Sequence, residues 1–349
     1  MTLPSDLRSP LPSTLHSALP SALPSHAPLA VATRGDAVES IHYGSLVATF
    51  PDGSTLGSLG DATARFYPRS ALKPLFAVGM LSAGLRVGPE QLALAAASHN
   101  GSARHQEIAA STLADAGLDA TALANSTDLP YGPAERAAWL ADGHGPTRLA
   151  QNCSGKHAAL LALCVQRGWP IQGYLDPEHP LNELLRTSVE DLTGEPVGAT
   201  STDGCGTPVY TLTLAGLARA FGLLASAAEG TPERQVADAM RAHPELVAGQ
   251  GRDVTAIMRA VTGLVAKDGF EGIQALGLPD GTGLAVKISD GGDRARMPVA
   301  AAALAGRMLP ATAGSMLGDA ALAAALHPLL SVPALGGGQR VGELTAVVP

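Results

Sequence analysis

Aromatic side chains are scarce in this chain: Trp, Tyr and Phe together make up 3% of 349 residues, so burial must rest on Ala, Leu and Val rather than on large rings. Positive charge is also in short supply. Twenty-three Lys and Arg stand against 31 Asp and Glu, a formal balance of −8. Neutralising nucleic-acid phosphates needs the opposite sign, which excludes a general nucleic-acid binder. Cysteine occurs only as Cys153, Cys164 and Cys205. An odd count this small cannot build a disulfide framework and fits a reducing compartment, so a cytoplasmic location is expected. No apolar run of about 18 residues is free of charge or Pro, so no membrane span is expected. The N-terminal stretch lacks the basic n-region and the unbroken apolar h-region of a signal peptide.

What is present is a core-forming composition, 46% apolar and 15% charged, long enough for one large domain or two ordinary ones. Residues 1–28 repeat Leu, Pro and Ser, and regular Pro blocks a continuous helix, so they are expected to form a flexible tail. Residues 29–349 are expected to form a single domain, with a sheet part at about 29–65 and 283–349 and a helical part at about 66–282. Val38–His42 and Gly44–Thr49 read as an early hairpin closed by Pro51-Asp52-Gly53. Apolar residues at helical spacing predict a helix from about Ser70 to Gly84 and an Ala/Leu-periodic helical middle from about Pro89 to Met258. Gly283–Ser289 reads as a strand, Pro298–Leu309 as a helix and Leu344–Val348 as a final strand. Strands at both ends around a helical middle imply an α+β unit whose termini share a sheet.

Ser70-Ala-Leu-Lys73 carries the first chemistry. At a helix start, i, i+3 spacing puts a hydroxyl and an amine on one face, and a serine becomes a nucleophile when an uncharged amine can take its proton. A lysine with a reference pKa of ~10.4 is charged at neutral pH, and bringing it to ~7.5 costs roughly 4 kcal/mol. Apolar walls or a second cation must supply that. Lys287, alternating with Val286 and Ile288 and followed by Asp290-Gly291, is the candidate second cation. Ser98-His99-Asn100 follows a short apolar helix on a loop that could aim polar groups at a ligand, or could simply be a turn satisfied by its own side chains. Cys153-Ser-Gly-Lys156 and Cys205 pair soft sulfur donors with an amine, although no second Cys-x-x-Cys or His-x-x-x-His arm completes a closed zinc site. Gly155-Lys156 lacks the glycines of a phosphate loop, which discounts nucleotide binding.

Six blocks in register carry a resemblance: Arg69-Ser70-Ala-Leu-Lys73-Pro74, Ala97-Ser98-His99, Asn152–His157, Thr202–Cys205, His243–Gly249 and Val286–Gly291. Together they resemble the Rhizobium etli-type class 3 L-asparaginases, the asparaginase II family. The resemblance implies a serine β-lactamase/glutaminase-like α+β fold, a homodimer, hydrolysis of L-asparagine to L-aspartate and ammonia, and a zinc ion beside the site that does not provide the nucleophile. It makes Ser70 the nucleophile, Lys73 its base, Ser98 and Lys287 a second Ser/Lys pair, and Cys153, Lys156 and Cys205 the zinc ligands, with Asp203 where an acid can hold a metal-bound water. His99, Asn100, Arg252, Asp290 and Gly291 are the expected substrate-binding residues, and Arg252 and Arg294 are candidate clamps for a carboxylate. Ser102 and Gln250 stand where the family has acids, which bears on how the substrate ammonium is held. Penicillin-recognising hydrolases should carry a Ser-x-Asn or Tyr-x-Asn element and a Lys-Thr-Gly strand, where the strand here reads Lys287-Ile288-Ser289, while a zinc-stabilised binding module would show no turnover. Asparagine against glutamine, one methylene apart, is not decided by these residues.

Overall fold

The computed structural model describes residues 23–307 and 319–348. Most of the expected tail therefore lies outside the described residues, and its boundary at 28 falls inside a strand, Ala27–Arg34. The main sheet is antiparallel throughout. Its order runs Ser331–Gly336, Gln339–Ala346, Ala27–Arg34, Ala37–Thr49, Gly283–Ile288, Ile273–Gly277, Val265–Gly269, with Thr55–Leu59 also pairing with Ala37–Thr49. Strands from both ends of the chain thus lie side by side, and the molecule is α+β.

The early hairpin is corrected. Tyr43-Gly44 is not a turn, because Ala37–Thr49 runs as one 13-residue strand with Gly44 opposite Ile288. The reversals fall on either side of it, at Gly35-Asp36 and at Pro51-Asp52-Gly53. The middle is helical as the 3.6-residue periodicity predicts, including Lys73–Ser82, Pro89–Ala95, Ala103–Asp115, Ser154–Arg167, Pro180–Thr193, Leu214–Ser226 and Pro232–Ala242. It ends earlier than expected, however: Val265–Gly269 and Ile273–Gly277 form a hairpin on the sheet edge. Every residue of these two strands is buried, so neither shows the period-2 alternation that marks a half-buried strand. Of the expected Pro298–Leu309 helix, Arg296–Ala302 is α-helical and the end lies outside the described residues.

The Leu214–Ser226 helix presses its backbone onto the sheet where two cross-strand partners, Gly283 and Gly277, present no side chain. A methyl group on Gly283 would collide with the Ala218 carbonyl, and one on Gly277 with the Phe221 carbonyl. Backbone cannot swing aside as a side chain can. Gly283→Ala is therefore expected to destabilise the fold by about 2–4 kcal/mol, read as a lower denaturant midpoint at unchanged slope.

Candidate active site

Ser70 is set up by the residue before it. The chain leaves the short Arg65–Phe66 strand, passes Pro68 and enters a single 3-10 turn, Arg69–Leu72, in which Arg69 has φ +54°. A left-handed non-glycine residue carries strain, and such residues collect at functional turns. The Arg69 guanidinium secures the turn, donating from Nε to Asp203 Oδ1 at 2.6 Å and lying 5.3 Å over the Phe270 ring. Within the turn, Ala71 N donates to Pro68 O at 3.1 Å.

Lys73 opens the helix that follows and is fully buried. Its Nζ donates to Ala97 O at 2.6 Å and meets Ser98 Oγ at 3.0 Å. Among the described residues it makes no hydrogen bond to Ser70, so the direct contact expected from the i, i+3 spacing is replaced by one to the neighbouring serine. Ser98 sits on a loop fixed by backbone bonds on both sides: Ser98 N donates to Val247 O, Asn100 N to Ala248 O and His99 N to Asn152 O. Three of the six sequence blocks meet in those bonds.

The second amine on Ser98 is that of Lys267, whose Nζ lies 2.9 Å from Ser98 Oγ and donates to Asp268 O at 2.8 Å and to Asp268 Oδ1. Lys287 is corrected accordingly. It lies on Gly283–Ile288, two strands away from Val265–Gly269 and so about 10 Å off in the sheet. Its Nζ donates instead to Glu271 O and Ile288 O. Sequence reasoning misses Lys267, although a signal is present: Lys267-Asp268-Gly269, on an edge strand beside the serine turn, has the Lys-x-Gly form of a Lys-Thr-Gly strand. Burial pushes the Lys267 amine down to about 8, with Lys73 and Arg252 adding to the effect and Asp268 opposing it. Burial alone would raise Asp268, but Lys267, Arg296 and Arg252 hold it well below the usual carboxylate range.

Ser70 and Ser98 open onto one cavity that is also lined by Tyr131, Asn152, Arg252, Asp268, Phe270, Glu271, Gly291 and Asp293. Arg252 lies 4.8 Å over Tyr131 and donates to Asn100 Oδ1 at 3.3 Å and Asp268 Oδ2 at 2.7 Å. The other expected binding residues stand back from it. His99 is fully buried, bonded to Ser154 Oγ and stacked on His105, and burial holds its imidazole well below the ordinary range. Asn100 supports Arg252 and bonds Glu135 and Gln250. Asp290 caps the Gly292 N–H and lies 3.7 Å from His42, and Arg294 bonds His42 and Ser40, so neither wall includes them.

Arg296 supports this wall from behind. Its buried guanidinium reaches Asp293 at 2.6 Å, Gln274 at 2.5 Å and Asp253 at 3.1 Å. Burial works against its charge, but Asp253, Asp268 and Asp293 together hold it above the usual range. Removing one member of a buried charge network leaves the others uncompensated, so Arg296→Met is expected to cost about 3–5 kcal/mol, visible as a lower thermal midpoint.

On the far side of Arg69, the Asp203–Thr207 turn brings Cys205 to the start of the Ser154–Arg167 helix. There Lys156 Nζ lies 3.1 Å from Cys205 Sγ and 2.6 Å from Thr207 Oγ1. The Cys153 thiol donates to Asn152 Oδ1 at 3.2 Å, and the nearness of Cys153, Lys156 and His157 holds Cys205 well below the ordinary thiol range despite burial. Burial opposes the Lys156 charge, yet Cys205, Cys153 and Asp203 raise it. Cys164 is fully buried in the helix, as expected of a core residue. Among the described residues, no group of three or more His, Cys, Asp and Glu gathers as a metal site. Two buried sulfurs, one of them favoured as thiolate, beside an amine nonetheless fit zinc chemistry once Lys156 gives up a proton.

The molecule is thus an α+β protein with a polar cavity at the edge of its sheet, floored by one serine between two buried amines. Its sequence matches L-asparaginase II over residues 30–346, and the chain belongs to that family of amide hydrolases. No curated protein matches it. Among solved structures it is similar to Mglu in its native form (16% identity, 74% of this chain and 62% of that one, TM-score 0.40). It is also similar to a beta-lactamase from Mycobacterium bovis (17%, 76% and 95%, TM-score 0.34) and to EstCE1, a hydrolase with promiscuous acyltransferase activity (13%, 73% and 92%, TM-score 0.40). The chain spans about three fifths of the length of Mglu.

Proposed function

We propose that the chain is an L-asparaginase working through an acyl-enzyme on Ser70. The observation that carries this reading is Ser98 Oγ bonded to both Lys73 and Lys267 beneath the cavity onto which Ser70 opens. A hydroxyl has one proton, so it can donate to one amine only if that amine offers a lone pair. When the two amines hold a single ammonium proton between them and Lys267 carries it, Lys267 gives its three N–H groups to Asp268 O, Asp268 Oδ1 and Ser98 Oγ, leaving uncharged Lys73 as the base. Ser70 Oγ then attacks the side-chain amide carbon while Lys73 takes its proton. As the C–N bond breaks, that proton passes to the leaving nitrogen, with Ser98 bridging the amines, and ammonia departs. Water, deprotonated by the same pair, cleaves the ester to aspartate.

Cys153, Lys156 and Cys205 would hold zinc, with Asp203 beside its water. When bound, the ion would supply a fixed charge that orders the 203–207 turn. One zinc per wild-type chain and none in Cys205→Ala, by elemental analysis, is the expected result. A cytoplasmic homodimer is part of the same reading, supported by three unpaired thiols and by the exposed Ile41 and Tyr43 on Ala37–Thr49 and Val347 just past the last strand.

The test is ammonia release from asparagine, glutamine and a chromogenic lactam. Asparagine is expected to lead, while turnover of the lactam alone would make the chain a penicillin-recognising hydrolase. Turnover of none would make it a binding module.

A further inference from the structure

We propose that Glu271 accepts the α-ammonium group of the substrate, with Lys287 and Gly291 as its positioning residues. The assignment rests on the asparaginase reading, because an amino acid amide brings both an ammonium and a carboxylate into the cavity. Four charged side chains line that cavity: Arg252, Asp268, Glu271 and Asp293. Asp268 is taken up by Lys267, Arg252 and Arg296, and Asp293 by Arg296 at 2.6 Å. The Glu271 side chain has no hydrogen bond or ion pair among the described residues, so it is the acid still open to a ligand.

Three features converge on it. Its backbone has φ +72°, a left-handed conformation that is strained for any side chain other than glycine's. Lys287 Nζ, which serves no other side chain, donates to Glu271 O at 2.6 Å and so tethers that strained turn to Gly283–Ile288. Gly291 faces the Glu271 carboxylate, and a Cβ there would overlap it. Ser102, standing where the family has an acid, cannot do the job: it caps the Ala103–Asp115 helix through His105 and does not line the cavity. Arg252 supplies the opposite charge for the α-carboxylate in the same cavity.

The experiment compares kcat/KM for L-asparagine with that for succinamate, which is asparagine without its ammonium. Losing one charge-assisted contact is worth about 10- to 100-fold, so the wild type should prefer asparagine by at least that, and Glu271→Gln should lower the preference by a similar factor. Lys287→Met should lower it in the same direction. An unchanged preference in Glu271→Gln, with asparagine still hydrolysed, overturns the assignment alone. Equal use of both amides by the wild type also overturns it and needs no variant to fold. Turnover of neither amide overturns the asparaginase reading itself.

Discussion

Ser70→Ala protein should release aspartate and ammonia from L-asparagine at least ~10⁴-fold more slowly than wild type, as removal of the nucleophile does where a hydroxyl and its base act as a unit. The structure makes this a clean substitution. Ser70 Oγ joins no hydrogen bond among the described residues, so Lys73, Ser98, Lys267 and Asp268 keep all of theirs. Folding stability should stay within about 0.5 kcal/mol of wild type, and mass spectrometry of substrate-quenched protein should show an acyl adduct in the wild type only. Near-normal turnover in Ser70→Ala, together with loss in Ser98→Ala, would instead make Ser98 the attacking hydroxyl. That possibility has to be tested because Ser98, not Ser70, touches both amines.

The sequence is most legible where chemistry sits on loops. Ser70, Ser98, Cys153 and Cys205 each interrupt an Ala/Leu-rich stretch with polar and Gly residues, and a chain with only 15% charged residues makes each such cluster stand out. The α+β arrangement, with both chain ends in one sheet, is readable for a related reason: β-branched stretches such as Val38–His42 and Gly44–Thr49 mark strands near the start, and 3.6-residue periodicity fills the middle. Lys267 is hidden because its strand is buried on both faces, so it offers no alternation. Its compensating charge is the adjacent Asp268, and the arginines that share that carboxylate, Arg252 and Arg296, come from other elements. Lys287 was the natural misreading, since it does sit on a well-patterned strand. Strand pattern fixes which face a side chain takes, but not which neighbour that strand pairs with. The separation of Lys287 from Ser98 is therefore a property of the sheet order alone. Glu271 and Arg69 are illegible for yet another reason, because their importance lies in backbone angles that no local preference for Glu or Arg would suggest.

The pairing of Lys267 with Lys73 across Ser98 predicts a specific pH response. The groups facing Lys267 are Asp268 on its own strand, Lys73 on the helix, Arg252 at the start of the Asp253–Ala260 helix, and Arg296 beyond Asp268. With the Lys267 amine held near 8, the coupled pair begins to lose a proton near that pH, and the form whose remaining ammonium proton rests on Lys267 is the one in which Lys73 can act as base. kcat/KM is therefore expected to rise with pH through about 8. In Lys267→Met it should fall by about 10³-fold at pH 7, and the rising limb should move to higher pH, because no second amine remains to hold the shared proton. A profile that falls through pH 8 in the wild type would give Lys267 the opposite role, that of a required cation. Stability should separate from activity. The folded Lys267 lies below its unfolded value of ~10.4, so between about 8 and 10.4 the unfolded chain binds more protons and stability rises with pH. Below that window, keeping the buried ammonium costs about 3 kcal/mol, a cost that Lys267→Met removes while Arg252 and Arg296 still compensate Asp268. The variant should thus melt no lower than wild type at pH 7 while losing nearly all turnover, and the gain in stability from pH 8 to 10 should shrink.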